Sequence, residues 1–281
     1  MRTYLDCYPC LVRQAVDSLH ALEVKEPDQQ PILKEALRVL IDSSSYKKPP
    51  ELSEIIQRNI RKYLQNSDPY REMKAASTRE VLAFLPWLQE KIDNSKNPLE
   101  TAIRLSAAGN IIDLGAASSY NLQHAINEVL QANFAIFDFP AFQKLLSEVE
   151  SVLYLADNAG ETVFDRLLIQ QMQKPTLYVV RATPILNDAT AEDAISAGLE
   201  KVATIIDSGC GTPGTNLEAS SQHFRKLFSS ASLIISKGQG NYEMLNEEKA
   251  PIFFILKVKC QIVAADIGAP MGSYILKQIN R

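Results

Sequence analysis

Asp157, Asn158 and Asp188 are the residues through which this chain could do chemistry. Asp157 and Asn158 follow directly on an apolar run at 152–156, and Asn187 and Asp188 stand a few residues beyond a second such run at 176–180. Two carboxylates and an amide oxygen from neighbouring loops form a hard donor set, suited to Mg²⁺, Mn²⁺, Co²⁺ or Ni²⁺ with water completing the coordination. Helix capping is the competing reading. Asn158 with Glu161, and Thr190 with Asp193, both have capping-box spacing. Capping accounts for those four residues but leaves Asp157 and the Asn187-Asp188 pair unexplained, so metal ligation and capping both stand at this point.

Two glycine-bearing loops follow later apolar runs. Lys237 opens Lys237-Gly238-Gln239-Gly240-Asn241, where a cation and a helix start could hold a phosphate, with Gly238 and Asn241 as its neighbours. The alternative is a solvated lysine. Gly209-Cys210-Gly211-Thr212-Pro213-Gly214 spells a literal GxGxxG, but it comes late in the alternating pattern, contains Pro213, and lacks the acid expected about 20 residues on. A methyltransferase or nucleotide-binding protein using the 209–214 glycines is the rival function. Cys7 and Cys10 form a CxxC, and Cys260 follows Lys259. These thiols could make a second metal or thiol cluster, a redox pair or a sensor, or could simply be buried.

The elements that position these residues change character along the chain. Segments 11–22, 31–43, 52–64, 78–92 and 98–108 carry apolar residues at three- and four-residue spacing, separated by polar or proline-bearing joints, so the first third reads as helices. From about residue 152, apolar runs at 152–156, 176–180, 203–206, 233–236 and 252–256 alternate with helical patterns. This predicts at least five parallel-type strands in an α/β domain, with the polar knots at the carboxyl edge where open sheets bind ligands. The expected division is a helical N-terminal domain, 1–98, and an α/β metal-binding catalytic domain, 99–281.

With 281 residues and a net charge of −4, the chain has material for a large core and lacks the basic excess of a nucleic-acid protein. No apolar run is long enough for a membrane span, and the first residues carry no apolar signal segment. A cytoplasmic protein with reduced thiols, no nucleic-acid partner and no membrane partner is the expectation.

Taken together, DCYPCLVRQA at 6–15, GNIID at 109–113, DNAGE at 157–161, PILNDAT at 184–190, SKGQGNYE at 236–243 and the Lys-Cys pair at 259–260 resemble the damage-control phosphatases, a family formerly described as a domain of unknown function. The resemblance runs nearly end to end, and the CxxC with the late Lys-Cys is similar to the family's prokaryotic subgroup. It implies a helical domain beside a Rossmann-like three-layer α/β/α domain, and metal-dependent hydrolysis of small phosphate monoesters such as sugar phosphates or damaged phosphometabolites. Asp157, Asn158 and Asp188 match the family's metal ligands and Lys237 its phosphate-binding lysine, with Glu161, Asn187, Asn110 and Asp113 as neighbours. Asp157, Lys237 and Glu161 are the expected catalytic residues. Methyl transfer, suggested for larger relatives with extra N-terminal sequence, fits this chain less well. Substrate, native metal and oligomeric state stay open.

Overall fold

The computed structural model describes residues 1–44, 47–109 and 119–279. The first part is helical as expected: α1 (Cys7–Ala21), α2 (Glu26–Ile41), α3 (Pro49–Leu64), α4 (Arg71–Ala83), α5 (Leu85–Asp93), α6 (Pro98–Ala108) and α7 (Ser119–Gln131). The periodic stretch 78–92 is two helices rather than one. Pro86 has no amide hydrogen and its ring clashes with the carbonyl four residues back, so the chain breaks at Phe84 and restarts with the proline in the first turn of α5.

The remainder alternates: β1 (Ile136–Phe137), α8 (Phe139–Glu148), β2 (Val152–Leu155), α9 (Thr162–Met172), β3 (Thr176–Val180), α10 (Ala191–Ser196), β4 (Thr204–Asp207), α11 (Gln222–Ser230), β5 (Ile234–Lys237), α12 (Gly238–Leu245), β6 (Ile252–Lys257), α13 (Gln261–Ile267) and β7 (Tyr274–Ile279). The strands form one sheet in the order β1-β7-β6-β5-β2-β3-β4. All neighbours are parallel except β6 and β7. The five strands expected from sequence are β2 to β6; β1 and β7 are additions at one edge.

Alternate residues of each strand feed opposite faces, and both faces are covered. Tyr154, Val180, Ile235, Phe253 and Ile255 pack into one apolar cluster with α4, α5, α6, α8 and α9. Leu155, Val179, Ile234, Phe254 and Leu256 pack into another with α11, α12 and α13. Burial on both faces is why these strands read as continuous apolar runs. Helices α1 to α3 have a core of their own around Leu11, Leu19, Ile32, Leu52, Ile56 and Ile60. Val81, Leu88 and Ile92 of α4 and α5 belong instead to the sheet's first cluster. The cores therefore divide between α3 and α4, earlier than residue 98, because α4 and α5 cover apolar surface of the sheet unit. Among the described residues, no helix is long and apolar enough to cross a membrane.

Candidate active site

Strand order decides where the site lies. From β2 the chain adds β3 and β4 on one side, then crosses back to place β5 on the other side of β2. The carboxyl ends of β2 and β5 thus flank the topological switch point, where open α/β sheets take their ligands. Asp157 follows β2, and Gly238 follows β5 with a backbone φ of +77°. A side chain on Gly238 would put its first carbon 1.8 Å from an Asp157 carboxylate oxygen. Glycine is required there so that the start of α12 can lie against that carboxylate.

Backbone bonds lace the second polar knot to the first. Asn158 and Asp188 form an isolated antiparallel bridge, the Ala159 amide donates to the Asn187 carbonyl at 2.8 Å, and the Ala189 amide donates to the Asp157 carbonyl at 2.8 Å. Leu186, inside this loop, adopts φ +47°, a left-handed conformation costly for a bulky residue and held by the lacing around it. Asp188 is fixed by the Arg181 Nε, which donates to it at 2.7 Å. Arg181 is buried, and its remaining donors reach the Ala156 carbonyl and Thr215.

The expected cap at Asn158 does not form. Its amide nitrogen donates to Glu161 Oε1 at 2.8 Å and lies 3.4 Å from Asp157 Oδ2, which settles the amide so that its oxygen is turned away from both carboxylates. The Thr190-Asp193 capping box does form.

Lys237 and Glu161 are placed differently from the expectation. The Lys237 amine is wholly buried, donating to Glu161 Oε2 at 2.9 Å and Asp165 Oδ1 at 2.8 Å. Asp165 also accepts from Tyr154 at 2.7 Å and Tyr178 at 2.8 Å. Two like charges four residues apart on one helix face need a cation between them, and Lys237 supplies it. The lysine therefore works behind the site: it holds Glu161, and Glu161 orients Asn158. Asn241 is likewise internal, with its amide nitrogen donating to the Ala156 and Lys237 carbonyls and its oxygen accepting from Thr215. Its side-chain hydrogen bonds are made within the protein. Asn110 and Asp113 lie outside the described residues.

A cavity of about 580 Å³ opens in front of Asp157, Asn158, Asn187 and Asp188. Its far walls are Cys7, Cys10, Leu11 and Gln14 of α1, Pro49 and Ser53 of α3, and Gln239 and Glu243 of α12. Lys259 and Cys260 close another side. The thiols expected as a separate cluster thus share the cavity of the carboxylates. Among the described residues no three His, Cys, Asp or Glu side chains converge as a ready-made metal site, so the thiol-metal centre is not preformed. Lys259 is the one Lys or Arg among the described lining residues, and sequence reasoning used it only as half of a Lys-Cys motif.

The glycines at 209–214 do not make a dinucleotide turn. They follow β4 at the sheet edge and lead into a long loop, with the next helix starting at Gln222 rather than at the last glycine. Gly214, at φ +81°, instead allows contact with Gly240: a side-chain carbon there would meet the Gly240 carbonyl oxygen at 2.4 Å.

Electrostatically the site is short of positive charge. Burial, followed by the nearby charges of Glu161 and Asp188, pushes the Asp157 carboxyl well above the usual carboxylate range, against the pull of Arg181 and Lys259. Burial also raises Asp188, opposed by Arg181. Two buried carboxylates, Asp157 and Asp188, with the Asn158 amide beside them on the bridged loop, make a hard donor set that fits a divalent cation, which would offset their charge.

With this geometry in place, comparison with known proteins is decisive. The model of the damage-control phosphatase ARMT1-like domain matches residues 3–275. The chain belongs to that family. It is 34% identical to a damage-control phosphatase of Archaeoglobus fulgidus, covering 88% of each chain. It is also 34% identical to one of Pyrococcus horikoshii, over 81% of this chain and 80% of that one. The crystal structure of the Pyrococcus protein, described as a DUF89 family protein, superposes with a TM-score of 0.92 at 29% identity over 99% of both chains. The family fold carries the seven-stranded, mostly parallel sheet and its flanking helices in full.

Proposed function

We propose that this protein is a metal-dependent phosphatase acting on small phosphate monoesters. The observation that carries the reading is the pairing, at the switch point, of two buried carboxylates and an oriented amide with a cavity holding one lysine. The phosphatase names of the Archaeoglobus and Pyrococcus relatives support the reaction class.

Asp157, Asn158 Oδ1 and Asp188 would hold the divalent ion. When bound, it would polarise a phosphoryl oxygen and offset the charge that develops on it. Lys259 faces the same space and takes a second phosphate oxygen as a point charge. The first-turn amides of α12, at Gln239 and Gly240, offer donors to a third. Arg181 keeps Asp188 in place, and the Lys237–Glu161 pair keeps the Asn158 amide from rotating. The walls from α1 and α3 shield the reacting ester from bulk water, which strengthens every charge interaction inside.

The test is phosphate release from a panel of phosphomonoesters by chelated protein resupplied separately with Mg²⁺, Mn²⁺, Co²⁺ and Ni²⁺. Activity restored by at least one metal supports the reading. Folded protein silent with all four sinks it.

A further inference from the structure

Hydrolysis at the Asp157–Asp188 edge creates a second requirement that the metal donors do not meet. When the phosphorus–oxygen bond of an alkyl phosphate breaks, the departing oxygen needs a proton, because a free alkoxide is a poor leaving group. The donor has to stand in the cavity, beyond the phosphate. Helix α12 reaches there. Its start is packed on Asp157 through Gly238, and its cavity-facing residues are Gln239, Gly240 and Glu243. Glu243 is four residues after Gln239, so it lies ~6 Å farther along the helix axis, on the same face.

The Glu243 carboxyl is held in position. Gln239 Nε2 donates to Glu243 Oε1 at 2.8 Å, while Gln239 Oε1 accepts the backbone amide of Lys259 at 2.9 Å. One side chain thus fixes the acid relative to the lysine that takes the phosphate. Around it stand Cys7 and Cys10 from α1, Lys259 and Cys260 from the turn after β6, and the Met1 ammonium, which donates to the Glu243 carbonyl. Burial first, and then the Glu243 charge, raise the Cys7 and Cys10 thiols, so they stay neutral. Burial pushes Glu243 itself up to about 7, against opposing pulls from Gln239 and the amino terminus. A carboxyl in that range holds a proton near neutral pH and can release it.

We infer that Glu243 is the general acid of the reaction, handing its proton to the departing alcohol oxygen. Water forms the new bond to phosphorus and its protons leave on the released phosphate, the ester bond breaks with its electron pair toward the alcohol oxygen, the Glu243 proton completes the alcohol, and solvent reprotonates the carboxylate. This rests on the phosphatase reading, and the test separates the two.

The experiment compares p-nitrophenyl phosphate, whose leaving group needs no proton, with an alkyl phosphate such as glycerol phosphate, in wild-type and Glu243→Gln protein with the activating metal. The expected result is a loss on the alkyl ester exceeding that on the aryl ester by at least ~100-fold, in keeping with the usual size of general-acid contributions. Wild-type kcat on the alkyl ester should decline above about pH 7, and that limb should be absent from the variant. Equal losses on both esters would assign Glu243 a structural role and overturn the inference. Should the variant not fold, wild-type protein alone decides: a shallow dependence of kcat/KM on leaving-group pKa supports an internal acid, and a steep one overturns it. Wild-type protein inactive on both esters with every metal would instead be a failure of the phosphatase reading.

Discussion

Replacing Gly238 by alanine tests whether the Asp157 carboxylate has to sit where α12 lets it. The added methyl would start 1.8 Å from the carboxylate oxygen, and side-chain carbons do not approach closer than 3.0 Å, so the carboxylate must retreat by about 1.2 Å or α12 must tilt. A misplacement of ~1 Å in a catalytic constellation costs roughly 100-fold in rate. The left-handed backbone, φ +77°, adds about 1–2 kcal/mol of strain for any residue with a β-carbon. Gly268→Ala is the control. It has the same φ of +77° but open space around the added carbon, so it bears the strain without the clash. Both variants should lose a few degrees of Tm, while only Gly238→Ala should lose about two orders of magnitude in metal-dependent kcat/KM and bind the metal more weakly. Gly238→Ala retaining kcat/KM within threefold of wild type would refute the placement of Asp157 in the site.

Asp157→Asn should abolish metal-dependent turnover yet stabilise the metal-free protein, and should remove the Tm increase that metal gives the wild type. The sign follows from the raised carboxyl: the folded state holds the proton more tightly than the unfolded one, so metal-free wild-type stability falls as pH rises from the unfolded carboxylate range through the higher folded value, and stays low above it. Thermal melts with chelator from pH 4 to 8 would show it, and a slope of opposite sign would contradict it. Lys237→Met leaves Glu161 and Asp165 as uncompensated buried charges, at about 3–5 kcal/mol and a Tm loss on the order of 10 °C. A variant of wild-type stability with only a raised KM would restore the lysine to the phosphate. Lys259→Ala should raise KM for phosphate esters and weaken inhibition by inorganic phosphate about 10-fold or more; unaltered phosphate inhibition would exclude it from the site.

Much of this architecture is readable in the residues themselves. β3 and α6 fall where the apolar pattern places them, and β2, β4, β5 and β6 within a residue; β2, β3, β5 and β6 are buried on both faces and leave unbroken apolar runs, while edge strand β4 is half-exposed. β7 escaped notice: Tyr274–Ile279, with Lys277 and Gln278 interleaved, is half-exposed and supports neither period strongly, and two-residue β1 exists only as its partner. Pro86 is the sequence signal for the break at Phe84. At the site, motif and spacing put Lys237 at the correct edge of the sheet but could not say on which side of Asp157 its amine would emerge. The signal that could have told was Glu161 and Asp165, two acids on one face of a helix otherwise buried among apolar residues. No spacing rule joins Cys7 to Cys260 or Glu243 to Cys10; those meetings are made by the packing of α1 across the carboxyl edge.

The cavity draws its walls from Asp6 at one end of the sequence and Met271 near the other, with donor oxygens from the middle. In chain order α1 precedes the donor loops and the Lys259 turn follows β6, so the cavity is completed only once residues 6 to 271 have all been made. Until then the growing chain can fold helices and pair β2 with β3, but it lacks the lysine and the closing wall. A fragment cut anywhere before β6 lacks the Lys259 turn and should therefore be inert in the phosphatase assay however well its helices form.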